Sequence, residues 1–135
     1  MKILITGSSG FIGSSLVDIL AKGSYEIAGI DNHSDYYDVS LKMDRLDNNQ
    51  QFDSFRHYEM NICDFESLGK VFSDFKPKIV IHLAAQVGVR YSLENPRSYI
   101  DTNIVGFNNV IQLSKEHHIE NFIYASSSSV YGGNT

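Results

Sequence analysis

The chain has 135 residues, 42% of them hydrophobic and 20% charged, with 11 basic against 16 acidic side chains for a net charge of −5. That length suits one domain with a sizeable core, and the acidic balance leaves no basic face to track a phosphate backbone, which argues against nucleic acid as a partner. A single cysteine, Cys63, cannot close an internal disulfide, no charged-then-apolar leader opens the chain, and no apolar run approaches a membrane span, so the expected setting is the cytoplasm, away from any membrane.

In chain order, "MKILITG" reads as a short strand buried on both faces and stopped by a glycine. Ile12, Leu16, Ile19 and Leu20 then recur at helical spacing from Phe11 to Lys22, with Gly23 as a stop. "YEIAGID" is a second strand ending on the acid Asp31. Residues 32–55 are polar and aperiodic and read as an insertion, with a short helix in "DVSLKMDRL" at most; a third strand is expected near Arg56 to Met60. Leu68, Val71, Phe72 and Phe75 mark a helix capped by Asp64 and ended by Pro77. "KIVIHLAA" is a fourth covered strand, and the longest helix begins with Asn95 as cap and Pro96 in its first turn, carrying Ile100, Ile104, Phe107 and Ile111. "NFIYASS" is the fifth strand. Strands alternating with crossover helices imply α/β architecture, a doubly wound parallel sheet of at least five strands.

Gly7, Gly10 and Gly13 in "TGSSGFIGS" sit where the first strand turns into the first helix. Glycines there allow a tight turn and a close approach of backbone to a pyrophosphate, while the free N–H groups of the helix start attract the anion. Their spacing is G-x-x-G-x-x-G, and Asp31 follows at the end of the second strand, where an acid accepts hydrogen bonds from a ribose. The same acid repels a 2′-phosphate, and no Lys or Arg follows it until Lys42, so the expected cofactor is NAD and not NADP.

With "TGSSGFIGS", "DNHSDYYDVSLKMDRL", "HLAAQVGVRYSLENP" and "YASSSSVYG", the whole chain resembles the extended short-chain dehydrogenase/reductases, a family with a Rossmann-type fold, and within it the NAD-dependent UDP-glucuronate 4-epimerases of capsular-polysaccharide synthesis. The glycine turn and "HLAA" are shared widely in that family; the "DNHSDYYD…LK…RL" insertion and "QVGVRYS" are narrower. The resemblance implies that Gly7, Gly10, Phe11, Ile12 and Gly13 hold the cofactor diphosphate and that Asp31 and Asn32 hold its adenosine ribose. It further implies Asn61 and Ile62 beside the adenine, Leu83, Ala84, Ala85 and Gln86 under the nicotinamide half, and Thr102 as a further cofactor contact. Many relatives carry Asp where Asn61 stands, which implies an altered adenine contact.

Ser127 falls on the family's catalytic Ser/Thr position, with Ser128 beside the UDP-sugar substrate. In the implied chemistry a tyrosine of a Tyr-x-x-x-Lys motif takes the proton of the sugar 4-hydroxyl while C4 is oxidised, and the resulting 4-keto sugar turns over before reduction. None of the eight tyrosines here has a lysine four residues later. The expectation is therefore an NAD-binding portion, residues 1–135, without its C-terminal substrate-binding region, inactive alone and from an enzyme family that is commonly homodimeric. Arg90 either meets the substrate's diphosphate or carboxylate or is a solvated arginine. Cys63 reads as packing, the five histidines as no metal site, with His117 and His118 adjacent and pointing apart on a helix, and Tyr36 and Tyr37 either line the adenosine pocket or pack the insertion. The alternatives are another sugar-nucleotide epimerase, dehydratase or decarboxylase of the family, or a non-catalytic NAD-binding module.

Overall fold

A computed structural model describes residues 1–133, apart from the side chain of Ser128. Five strands, β1 (Lys2–Thr6), β2 (Glu26–Asp31), β3 (Phe55–Glu59), β4 (Ile79–His82) and β5 (Asn121–Tyr124), form one wholly parallel sheet in the order β3-β2-β1-β4-β5. This is the doubly wound Rossmann-type arrangement that the alternation of elements implied. The strand order reverses between β1 and β4, and at such a switch point open α/β sheets bind ligands at the carboxyl edge. Thr6 pairs with both Ile30 and His82, and His82 with Tyr124, so four strand ends lie level along that edge.

Alternation along the strands divides the core in two. Leu4, Ile30 and Val80 point to one face and pack with Leu68, Phe72 and Phe75 of α3 (Phe65–Phe75) and with Val110 and Leu113 of α6 (Phe107–Glu116). Ile3, Ile5 and Ile27 point to the other and meet Val17 of α1 (Phe11–Ala21) and Leu46 of α2 (Val39–Gln50). Each fully buried Leu, Ile or Phe contributes about 1.5–3 kcal/mol. Asp64 caps α3 by accepting the Ser67 N–H at 3.1 Å, and Lys76, at φ 53°, ends it before Pro77. Among the described residues no helix is long and apolar enough to cross a membrane.

Three regions depart from the sequence reading. Residues 39–50, read as part of an insertion, form the twelve-residue helix α2, capped by Asp38 accepting the Ser40 N–H at 2.9 Å. Its pattern is faint because it buries only Leu46 and Asn49; the Asn49 amide donates to the Ser14 carbonyl of α1 at 3.1 Å, a polar contact doing the work of an apolar one. The long helix is not uniform: a one-turn helix α4 (Tyr91–Glu94) precedes α5 (Pro96–Ile100), and a π-helical stretch, Asp101–Gly106, joins α5 to α6. His117 and His118 lie beyond the last helical residue, Glu116, and His118 adopts φ 53°, so they do not share a helix as read. β5 closes one edge of the sheet with Ile123 and Tyr124 exposed, and Val89, Leu93 and Ile104 are further exposed apolar side chains.

Candidate functional site

A groove of about 1180 Å³ runs along the carboxyl edge of the sheet. Its walls include Gly7, Gly10, Phe11, Ile12, Gly13, Asp31, Asn32, Asn61, Ile62, Leu83, Ala84, Ala85, Gln86, Thr102 and Ser127, so every described residue assigned from sequence to cofactor contact or catalysis stands on one surface. Arg90 does not line it; it is exposed at the start of α4. The Ser128 side chain lies outside the described residues.

At the first turn, Gly7 adopts φ +75°, open to glycine at little cost, and its N–H donates to the Ile30 carbonyl at 2.7 Å. A Cβ there would lie 2.8 Å from the Ala84 nitrogen, so only glycine lets β1 and the end of β4 close up at this level. A Cβ on Gly13 would collide with the Gly7 carbonyl oxygen. Gly10 caps α1 with no side-chain hydrogen bond and no acid stands in the first turn. The N–H groups of Phe11, Ile12 and Gly13 therefore have no intrahelical acceptor, and their partial positive charge faces the groove. This cradle fits a diphosphate.

Asp31 is buried at the end of β2 and fixed from several sides. Its Oδ2 accepts the Ser9 N–H at 3.1 Å, and its Oδ1 accepts the His33 N–H at 2.9 Å. Oδ1 is also 3.5 Å from Lys42 Nζ. That last contact corrects the sequence argument that no cation stands near this acid: α2 folds back and carries Lys42 to the carboxylate, while Arg45 one turn later places its guanidinium 5.8 Å from the Phe11 ring centre. The spacing of Lys42 and Arg45 on one helical face was the available signal, hidden because the segment was read as aperiodic.

Farther along, Asn61 turns its Oδ1 to the Cys63 N–H at 2.9 Å. The buried Asn109 amide donates to the carbonyls of Ile62 at 3.0 Å and Cys63 at 3.2 Å, holding this loop from behind. Burial and the neighbouring Asp101 push the Cys63 thiol up, and its Sγ points to the Asp101 carbonyl, which suits packing and not nucleophilic chemistry. The π-helical stretch widens the helix where Thr102 and Asn103 reach the groove, a common use of such turns. Asn103 grips the Gln86 backbone at both its N–H (2.8 Å) and its carbonyl (2.9 Å). Tyr36 and Tyr37 also line the groove, as the first of their two readings had it, while their rings pack on each other.

Beneath the groove, Thr6 Oγ1 accepts the Ala84 N–H at 3.2 Å and lies 2.7 Å from His82 Nδ1. The buried Thr6 hydroxyl proton has Nδ1 as its acceptor among the described residues when the imidazole carries its own proton on Nε2, the tautomer that satisfies both groups. Burial lowers the His82 pKa from 6.5 to about 4, which keeps that ring neutral. Ser127 follows β5, exposed at the far end of the groove, where its Oγ accepts the Ser129 N–H at 3.2 Å.

Known proteins are similar to this chain in sequence and in fold. The chain is 53% identical over all 135 residues to protein CapI of Staphylococcus aureus and 42% identical over 130 residues to a UDP-glucuronate 4-epimerase of Thermodesulfobacterium geofontis, spanning 40% of the length of each. A crystal structure of UDP-glucuronic acid 4-epimerase from Bacillus cereus, in complex with UDP-glucuronic acid and NAD, superposes with a TM-score of 0.88 at 35% identity, over 100% of this chain and 43% of that one. UDP-glucose 4-epimerase of Thermotoga maritima with UDP-glucose gives 0.84 at 34% identity, over 100% and 41%. The family model described as GDP-mannose 4,6 dehydratase matches residues 4–135, and with that match the chain belongs to this family of NAD-dependent epimerases and dehydratases among the extended short-chain dehydrogenase/reductases.

Proposed function

We propose that these 135 residues are the NAD-binding portion of a sugar-nucleotide epimerase that inverts C4 of UDP-glucuronate through a 4-keto intermediate, in the synthesis of a surface polysaccharide. The observation that carries the reading is a single groove with a dinucleotide cradle and a ribose acid at one end and Ser127 at the other. Relatives named UDP-glucuronate 4-epimerase support the substrate.

Bound in this groove, NAD supplies a reversible hydride acceptor for the sugar C4. The chain's own residues do the rest. The α1 amino end neutralises the diphosphate and Asp31 orients the ribose hydroxyls. Ala84, Ala85 and Gln86, held by Thr6 and Asn103, form a fixed floor for the nicotinamide half. The Ser127 hydroxyl hydrogen-bonds the sugar 4-hydroxyl and passes its proton toward a base. That base is the tyrosine of a Tyr-x-x-x-Lys motif, absent from these 135 residues and supplied by further chain.

The test is to express the gene product extended past Thr135 and follow UDP-glucuronate conversion by chromatography. Conversion is expected for the extended protein, with Ser127→Ala lowering kcat by roughly 10²–10⁴-fold while NADH affinity stays unchanged. Turnover by the 135-residue chain alone would overturn the missing-base argument. An extended protein that binds NADH and leaves UDP-glucuronate untouched would overturn the epimerase reading.

A further inference from the structure

Two loops from opposite walls of the groove touch each other, and nothing in the cofactor cradle requires them to. One is the turn from His33 to Asp38 that leaves β2; the other runs from Gln86 to Arg90 after β4. The Tyr36 ring packs on Tyr37, with centres 4.6 Å apart, and on Tyr91 at 4.8 Å. Its edge rests on Gly88 so closely that a Cβ there would collide with the Tyr36 hydroxyl and lie 2.8 Å from Cζ. Gly88 holds φ +99°, a conformation side chains rarely adopt, so the backbone here both turns sharply and leaves the space that the tyrosine fills.

The Gly88 side is braced. Tyr99 Oη donates to the carbonyls of Val87, at 2.7 Å, and Gly88, and Asn103 binds the Gln86 backbone in both directions. The Tyr36 side is held at the ends of its turn, where the His33 N–H donates to Asp31 Oδ1 at 2.9 Å, the His33 ring lies 3.1 Å from Ser9 Oγ, and Asp38 caps α2; among the described residues Asp35–Tyr37 carry no side-chain-to-backbone hydrogen bond like those of Tyr99 and Asn103. One partner is thus an anvil fixed to the helices, and the other is an aromatic arm on a short turn.

We infer that Tyr36 and Gly88 form a strap across the dinucleotide groove that slows cofactor release. The inference rests on the groove being the NAD site. A dinucleotide running from Asp31 to Gln86 passes between these two loops, and it leaves only when Tyr36 parts from Gly88 and Tyr91. Breaking those aromatic contacts is part of the barrier to dissociation, so the strap acts on the off-rate. Tyr36 is a positioning residue in this role, with no part in the sugar chemistry.

The experiment measures release of NADH by fluorescence chase from the wild-type protein and from Tyr36→Phe, Tyr36→Ala, Gly88→Ala and the Tyr36→Ala/Gly88→Ala double variant, with thermal unfolding of each. Tyr36→Phe keeps the ring and should release within about twofold of wild type. Tyr36→Ala and Gly88→Ala should each release roughly tenfold faster, the size of one or two lost aromatic contacts. The double variant should fall short of the product of the two, because the alanine at 88 acts largely by pushing against Tyr36. Hydrogen exchange of amides 35–37 and 87–89 should rise in Tyr36→Ala even without cofactor. Release at the wild-type rate from a folded Tyr36→Ala variant overturns the strap, whether or not Gly88→Ala folds. Failure of the wild-type protein to bind NADH overturns the cofactor reading, and the strap with it.

Discussion

Acid should unfold this protein earlier than its carboxylates require, because His82 is buried neutral. Its pKa is about 4 in the folded chain against 6.5 when free, and burial is the cause. Between those values the unfolded chain binds the proton that the folded chain refuses, so stability falls as pH falls through 6.5 and the loss levels off below about 4. At 1.36 kcal/mol per pKa unit, the loss relative to pH 7.5 is about 2 kcal/mol at pH 5 and about 3 kcal/mol at pH 4. Geometry agrees with the sign. A proton on Nδ1 would face the Thr6 hydroxyl, which already accepts the Ala84 N–H, and would leave the hydroxyl's own hydrogen without an acceptor. The His57 pKa is lowered too, first by burial and then by the neighbouring His33, so it adds to the same slope. Asp38 and Asp64, whose hydrogen bonds lower them, act in a more acid range. Urea unfolding at pH 7.5, 6 and 5 reads the effect, and His82→Gln should remove most of the slope. Equal stability at pH 7.5 and 5 in the wild-type protein would refute the buried neutral imidazole.

Three substitutions probe the cradle and its supports. Gly13→Ala drives a methyl into the Gly7 carbonyl, which is backbone and cannot swing aside, and should cost about 3 kcal/mol in urea unfolding and abolish measurable NADH binding; a folded variant with wild-type affinity would show that the turn relaxes freely. Asp31→Ala removes the acceptor of the Ser9 and His33 N–H groups and leaves Lys42 and Arg45 on the groove wall, so titrations should show NADH affinity down roughly tenfold to a hundredfold while NADPH loses much less. Equal losses for the two cofactors would mean that these cations do not face the ribose. Asn109→Leu strands the carbonyls of Ile62 and Cys63 and should cost about 2 kcal/mol of stability, with NADH weakened severalfold through the loop at Asn61; unchanged unfolding would mean that water replaces the amide without loss.

What was legible in the sequence is what is local. The strands of the sheet show because residues covered on both faces leave unbroken apolar runs, as in "KILIT" and "IVIH". The glycine turn shows because three glycines stand within seven residues between a strand and a helix, and the contacts of Gly10 and Gly13 with the Gly7 carbonyl are local, although the close approach of Gly7 to Ala84 is not. Asp31 shows because it ends a strand. The helix α2 was lost to the same logic: with Leu46 its one buried apolar side chain and Asn49 bonded to the Ser14 carbonyl, nothing in its pattern says that it is covered. The π-helical turn at Asp101–Gly106 was invisible because one extra residue per turn leaves composition unchanged; its effect is to bring Thr102 and Asn103 together to the groove.

The loss of α2 matters more for function than its size suggests. Charge selectivity at the ribose was argued along the chain, by the absence of Lys or Arg between Asp31 and Lys42, and the chain is not the relevant distance. Lys42 Nζ stands 3.5 Å from Asp31 Oδ1 with both side chains largely buried. Selectivity against a 2′-phosphate therefore rests on the acid with a cation already beside it, and at such separations one opposite charge offsets much of another. On the proposed reading the acid would keep the discriminating role through geometry: two backbone N–H groups fix its two oxygens, whereas Lys42 reaches it on four rotatable bonds. A fixed acceptor can demand two ribose hydroxyls, and a cation paired with it tempers the repulsion without supplying a rival site until the acid is removed.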